Sequence, residues 1–91
     1  SAAPRLGVRL EPDAPTVVEV LEGSPAAEAG LRAGDRILRV AGVAVETPAE
    51  LALRLRDEET PFEIERGGEA ITVDVTPSAT WRSHAVAPDG G

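Results

Sequence analysis

One short stretch decides the fold of this chain: residues 23–38, which read GSPAAEAGLRAGDRIL. Ser24 is a residue type that caps helix N-termini well, and Pro25 suits the first helical position. Gly30 is a natural C-terminal stop, so a helix of about two turns is predicted between them. A turn then leads to residues 36–40, RILRV, whose aliphatic residues predict a buried strand.

The segments before this stretch have the period of strands. Residues 5–10, RLGVRL, place an apolar side chain at every second position, which indicates a half-buried strand. Two prolines break the pattern within residues 11–15, and residues 16–21, TVVEVL, resume it with β-branched side chains. The N-terminal part of the chain therefore predicts two strands.

A second helix is predicted after a brief strand at residues 43–45. Thr47 precedes a proline, Pro48, and Glu50 occupies the third helical position, which is the arrangement of a capping box. The helix is expected to continue to about Glu58, shortly before the next proline.

The last structured part is predicted to be a β-hairpin. Residues 62–65 and 69–75 alternate apolar and polar side chains, as strands with one buried face do. Gly67 and Gly68 lie between them and suit a two-residue hairpin turn. The alternation ends before the proline at position 77.

The order of these elements describes one small α+β domain with an open sheet. Ninety-one residues leave no room for a second folded unit. We place the domain at residues 5–77. Residues 1–4 and 78–91 are expected to be linker, the latter a flexible tail, because no periodic pattern is present there.

Charge and hydropathy argue against two classes of partner. The chain has nine Arg, no Lys and 16 acidic residues, which gives a net charge of -7. Nucleic acids and anionic membrane surfaces call for clustered Lys and Arg, so neither is expected as a partner. No apolar run has the length of a transmembrane helix, and the N-terminus lacks the pattern of a signal peptide.

The sequence predicts no catalytic or metal centre. The single histidine, His84, lies in the polar tail, where a catalytic geometry is hard to hold. The chain has no cysteine, and no glycine-rich loop has the spacing that binds a pyrophosphate. The acidic run at residues 57–59 is typical of solvated surface. We therefore expect a non-catalytic domain without a cofactor.

Two segments resemble parts of a known protein family. Residues 23–38 look like the signature of bacterial PDZ domains, and Asp35, the aliphatic strand after it and then Gly42 fit its continuation. Residues 5–8, RLGV, resemble the carboxylate-binding loop of these domains. The resemblance covers residues 5–77 and looks closest to the PDZ domains of high-temperature-requirement (HtrA/Deg-type) serine proteases. It implies a PDZ-like, partly open barrel or sandwich of roughly five to six strands with two helices, in the circularly permuted bacterial topology.

The resemblance assigns a binding site to the first strand and the second helix. The backbone N–H groups of Leu6, Gly7 and Val8 would receive the terminal carboxylate of a peptide. Arg5 would either approach that carboxylate through water or lie in solvent. The groove beyond this loop would be formed by Val8, Arg9, Leu10, Pro48, Leu51, Ala52 and Leu55.

The same residues indicate which peptides would fit. The last peptide side chain would enter a pocket formed by Leu6 and Val8 on the strand side and by Leu51 and Leu55 on the helix side, so an apolar last residue is expected. The spacing of Leu51 and Leu55 fits a core face equally well. Animal PDZ domains that select Ser or Thr two residues before the peptide end have a His at the helix start, whereas this helix begins with residues 47–49, TPA, so no hydroxyl preference is expected.

The implied function is capture of C-terminal or exposed hydrophobic segments by a module of a larger, extracytoplasmic bacterial protease, with a serine protease favoured. The expected partners are peptides or unfolded proteins with an apolar C-terminus and the parent protease domain. The alternative is a docking module of a site-2 protease, a processing peptidase or a secretion-system component, without a free-peptide ligand. A monomer is expected, with weak self-association through Trp81, Ala85 and Val86 as a further alternative.

Overall fold

The computed structural model of this protein describes residues 2–83, so His84, Ala85 and Val86 of the predicted tail lie outside the described residues. The elements in chain order are β1 (Val8–Leu10), β2 (Val17–Val20), α1 (Pro25–Ala29), β3 (Arg36–Val40), β4 (Val43–Ala44), α2 (Pro48–Arg54), β5 (Thr60–Arg66) and β6 (Glu69–Val75). The predicted order and type of these elements are confirmed. Neither helix in the described part of the chain has the length and apolar character needed to cross a membrane.

The strands form two antiparallel sheets, which are not closed into a barrel within residues 2–83. Strands β1 and β2 form one sheet, and the other four follow the order β4-β3-β5-β6. Strands β5 and β6 pair along their whole length. Gly67 and Gly68 join them with φ values of 58° and 83°, and both positive values are what a type I′ turn requires. The predicted hairpin is confirmed.

Helix α1 begins and ends where the sequence predicts. The N–H of Ala27 donates to Ser24 Oγ at 3.1 Å, and Pro25 occupies the first helical position. Gly30 has a φ of 90°, and its N–H reaches the carbonyl oxygens of Ala26 and Ala27. This is the left-handed cap that glycine favours. The helix has five residues, slightly less than the expected two turns.

Helix α2 begins at the predicted cap, Thr47, but Glu50 bonds the residue before the cap and not the cap itself, so the predicted capping box is only half formed; the helix also ends earlier than predicted. The N–H of Glu50 donates to Thr47 Oγ1 at 3.0 Å, and Glu50 Oε1 accepts from the N–H of Glu46 at 2.7 Å. The last helical residue is Arg54, so the predicted extension to Glu58 is wrong. The acidic run around Glu58 would face the negative end of the helix dipole, and this opposes a longer helix.

The hydrophobic core draws side chains from both sheets and both helices. Its buried apolar residues are Leu6, Val17, Ala26, Leu31, Ile37, Val40, Val45, Leu51, Phe62, Ile64 and Val75. Phe62 is the only aromatic residue among them, so aliphatic packing supplies most of the apolar contact. Alternate side chains of β5, Phe62 and Ile64, point inward, as the sequence pattern predicts.

Asp35 attaches the turn after α1 to the β5–β6 hairpin. Its side chain is 1% exposed and accepts from Nε and Nη2 of Arg66, each at 2.8 Å, and from the N–H of Arg32 at 2.8 Å. The Nη2 of Arg66 also donates to the carbonyl of Gly30 at 2.9 Å. The hydrogen bonds from Arg66 lower the pKa of Asp35 below its usual 3.8, with help from Arg32 and against the effect of burial.

The chain stays packed on the domain after β6. Arg5 and Ser78 form an antiparallel bridge, with N–H to carbonyl distances of 2.9 and 3.0 Å. Pro77 before this bridge is buried. The packed part of the chain therefore extends beyond the boundary predicted at residue 77.

Candidate functional site

A groove of about 340 Å³ lies between β1 and α2. Its lining residues are Pro4, Arg5, Leu6, Gly7, Val8, Leu10, Leu21, Pro48, Leu51, Ala52, Leu55 and Trp81. The structure thus brings together every predicted site residue except Arg9. Pro4, Leu21 and Trp81 were not predicted.

Strand β1 offers a free backbone edge to this groove. The N–H of Leu21 donates to the carbonyl of Gly7 at 2.8 Å, so the Gly7 carbonyl faces β2. Backbone groups of successive residues in an antiparallel strand point to opposite sides. Val8, opposite Val20 in the register, therefore directs its N–H and carbonyl away from β2. Within residues 2–83 no other strand pairs with β1, so an extended chain can pair with this edge.

The conformation and the surroundings of Gly7 both require glycine. Its φ is 80°, in the left-handed region that side chains rarely adopt. An added Cβ would collide with the Cβ of Ser24 and lie 3.0 Å from Cη2 of Trp81. The close contact with Ser24 and Trp81 is a second reason for glycine, which the sequence did not reveal.

The loop before β1 is anchored on the start of helix α1. The N–H of Ala26 donates to the carbonyl of Leu6 at 2.9 Å, and the Leu6 side chain is buried. Ala26 lies in the first helical turn, where backbone N–H groups have no partner within the helix. A helix-end donor therefore holds the loop in place.

Helix α2 and its cap form the opposite wall. Pro48, Leu51 and Leu55 are three and four residues apart, so they lie on one face, and all three line the groove. Leu51 is 2% exposed and belongs to the core, whereas Leu55 is half-buried and packs against the core. The leucine pair therefore packs against the core and also lines the groove, the two arrangements that its spacing allows.

The two arginines near the loop lie in different surroundings. Arg9 Nε lies 3.2 Å from Glu19 Oε1 on the neighbouring strand, and both side chains are exposed. Alternate residues of a strand face opposite sides, so Arg9 faces solvent while Val8 lines the groove. Arg9 was predicted as a groove residue, but it is not among the residues that line the groove. Arg5 is exposed and lines the groove.

The chemistry of the groove suits binding. Arg5 is the only charged residue among those that line it, and the other side chains there are apolar. Backbone N–H groups beside an arginine can hold an anion, and the apolar walls can hold an apolar side chain. Residues 2–83 bring together no group of metal-ligating side chains. Among residues 2–83, no side chain that lines the groove could act as a nucleophile or a base at neutral pH.

No sequence pattern marked the three lining residues that were not predicted. Pro4 and Trp81 lie outside the periodic segments, and Leu21 ends the second predicted strand. The only available signal for Trp81 was that a single large aromatic residue stands in a segment of small and polar ones.

This chain matches a protein-family profile and parts of known protein sequences. The profile of the PDZ domain family matches residues 16–66, more than half of the chain. Serine protease HTRA1 of Xenopus laevis is 42% identical over 62 residues, which cover 67% of this chain and 14% of that protein. Zinc metalloprotease RasP of Geobacillus kaustophilus is 36% identical over 70 residues, which cover 74% of this chain and 17% of that protein. The chain thus spans only a small part of the length of these relatives.

A solved structure agrees with the sequence matches. The PDZ domain of HtrA3, bound to a phage-derived ligand (FGRWV), superposes with a TM-score of 0.73 at 23% identity. The superposition covers 86% of this chain and 88% of that one, so the two share a fold over nearly their whole length. The chain belongs to the PDZ domain family.

Proposed function

We propose that this domain binds peptides by adding them as a further strand to the free edge of β1. The observation that carries this proposal is the position of the groove, which lies directly between that edge and α2. Strand addition uses the backbone N–H and carbonyl groups of the edge, here those of Val8, and gains specificity from pockets for alternate side chains.

The loop at residues 6–8 is the proposed site of the terminal carboxylate. The left-handed backbone at Gly7 supports this assignment, because a left-handed residue in a short loop can turn successive N–H groups toward one anion, as in an anion-binding nest. Arg5 lines the same end of the groove and adds a positive charge. This combination allows a domain of net charge -7 to bind an anionic group.

An apolar last residue is the proposed preference. Its side chain would lie among Leu6, Val8, Leu51 and Leu55, all of which line the groove. Thr47 caps α2 and residues 47–54 contain no histidine, so we propose no preference for Ser or Thr two residues earlier. Few side chains would be buried and the peptide end loses its freedom, so the affinity is expected to be about micromolar or weaker.

The proposed wider role is substrate recognition or regulation in an extracytoplasmic bacterial protease. The 42% identity to serine protease HTRA1 supports a protease parent, and the ligand-bound HtrA3 domain supports peptide recognition. The catalytic residues of such a parent would lie outside this chain.

A second candidate function is supported by the match to RasP, a zinc metalloprotease. In that case the domain would be a docking module of a site-2 protease, a processing peptidase or a secretion-system component, and its groove would have no free-peptide ligand. The response to free peptides distinguishes the two functions.

An NMR titration tests the proposal. The ¹⁵N-labelled chain is titrated with peptides ending in Val, Leu, Ile, Phe or Ala, each as the free acid and as the C-terminal amide. We expect amide shifts at residues 6–8 and along α2, which amidation abolishes. Equal binding of acid and amide would instead indicate internal segments, and no shift with any peptide would favour the docking module.

A further inference from the structure

The chain after β6 forms a turn that is centred on Ser78. The N–H groups of Thr80 and Trp81 donate to Ser78 Oγ at 3.1 and 3.0 Å. Arg82 Nη1 donates to the carbonyl of Trp81 at 2.9 Å. These bonds hold the backbone on both sides of Trp81, and we name residues 78–82 the C-terminal turn.

The C-terminal turn is attached to both walls of the groove. On the strand side, Ser78 pairs through its backbone with Arg5, directly before the loop. On the helix side, the N–H of Ala79 donates to Asp57 Oδ2 at 3.1 Å, shortly after α2 ends. The turn therefore connects the two walls at the end of the groove where the loop lies.

The indole of Trp81 lies at this end of the groove. Its Cη2 is 3.0 Å from the position that a Cβ on Gly7 would take. The side chain is half-buried and lines the groove together with Pro4 and Leu6. An indole offers a large, flat apolar surface, which is well suited to contact another apolar side chain.

We propose that Trp81 is a specificity-determining residue of the groove and that its indole contacts the last side chain of a bound peptide. This inference rests on the peptide-binding function proposed above. With the carboxylate at residues 6–8, the last side chain enters the groove between Leu6 and the indole. A large apolar side chain reaches the indole and gains contact area, whereas Ala does not. The C-terminal turn thus makes the groove favour large apolar last residues.

The same contact couples the peptide to the C-terminal turn. A peptide that touches Trp81 binds more tightly when the turn is in place, and by reciprocity it stabilises the turn. The groove is therefore completed by chain that follows the last strand.

A cycle of two proteins and two peptides tests this inference. The chain and its W81A variant are titrated with Trp-free peptides that are identical except for a last residue of Leu or Ala. We expect the chain to prefer Leu by about ten-fold and W81A by about three-fold or less, because only the larger side chain loses a contact. Leu53→Ala, at a side chain 81% exposed on α2, is the matched control and should behave like the unmodified chain.

Fluorescence adds a second readout, because Trp81 is the only tryptophan. At saturation with each peptide, its emission should shift further to shorter wavelength with the Leu peptide than with the Ala peptide. A merely structural role would not produce this difference. If W81A does not fold, the W81F variant replaces it. We then expect W81F to prefer the Leu peptide less strongly than the unmodified chain does.

Two outcomes would overturn the inference. If W81A weakens both peptides equally, Trp81 only supports the loop at Gly7. If W81A leaves both affinities unchanged, the indole does not contact the ligand. A chain that binds neither peptide would refute the proposed function itself, and this inference with it.

Discussion

At the scale of single residues, Gly7 carries the strictest requirement in the groove. The Gly7→Ala variant would place a Cβ at a φ of 80° and against the side chain of Ser24. We expect the free energy of unfolding to fall by about 2–4 kcal/mol, from left-handed strain and overpacking together. Urea denaturation followed by circular dichroism measures this loss.

Gly23→Ala is the matched control for this substitution. Gly23 has a φ of 73°, but an added Cβ there would meet no atom within 4 Å. Only the backbone penalty of about 1–2 kcal/mol should remain. Equal losses in the two variants would show that the contact with Ser24 and Trp81 has no energetic importance.

The buried carboxylate of Asp35 should matter more than any surface charge. Asp35→Asn removes the ionic partner of Arg66, and we expect a loss of about 2–4 kcal/mol. This expected loss begins below the usual range of about 3–5 kcal/mol because Arg66 keeps 27% of its side chain exposed. Glu63→Gln, which breaks the exposed pair with Arg39, should cost less than about 1 kcal/mol in the same denaturation experiment.

The pH dependence of stability follows from the same carboxylate. The folded-state pKa of Asp35 lies below its usual 3.8, so its stabilising effect is complete well above pH 3.8. It is lost as the pH falls through 3.8 and then through the lower folded-state value. The stability difference between the chain and Asp35→Asn should therefore be largest near neutral pH and shrink toward about pH 2. A stability difference that grows as the pH falls would contradict this prediction.

At the scale of elements, α2 and its cap contribute neighbouring leucines to different tasks. Leu51 is 2% exposed, so Leu51→Ala should cost about 2–4 kcal/mol of stability. Leu55 is half-buried at the groove, so Leu55→Ala should cost less stability but weaken peptide binding about five-fold. Leu53→Ala should change neither quantity. Thermal unfolding and peptide titration of all three variants separate the core from the groove.

At the scale of the whole molecule, the domain depends on chain beyond its last strand. Ending the chain at Thr76 removes buried Pro77 and the two hydrogen bonds between Arg5 and Ser78. We expect a loss of about 1–3 kcal/mol relative to a chain that ends at Ser83. Coincident thermal unfolding curves would show that residues 77–83 add nothing.

The same truncation tests self-association through the tail. The structure places Trp81 at the groove of its own chain, which leaves it less available to a neighbouring molecule. Sedimentation velocity of the full and the shortened chain at high concentration should give one monomeric species for both. A concentration-dependent shift in the full chain alone would support pairing through the tail.

Local signals made most of the fold predictable. The cap at Ser24, the stop at Gly30 and the Gly67-Gly68 turn each act within a few residues, so the sequence alone is enough to locate them. The end of α2 was misplaced because the helix was expected to continue until shortly before Pro61, whereas the acidic run at residues 57–59 is unfavourable at the negative end of a helix dipole. Arg9 was predicted as a groove residue although it lies between Val8 and Leu10. Successive side chains of a strand face opposite sides, so Arg9 faces away from the groove that Val8 and Leu10 line.

The groove residues were implied by the resemblance to PDZ domains, whereas the sequence by itself determined the order of the elements, the caps that begin both helices and the Gly67-Gly68 turn. Each of these depends on short-range spacing, which a sequence displays directly. Only the tertiary structure decided that Arg66 neutralises Asp35 and that Trp81 lies against Gly7. These partners are far apart along the chain, and no local pattern marks them. Which distant residues meet is decided by how the packed elements bring the chain together, and that information is absent from any short stretch of sequence.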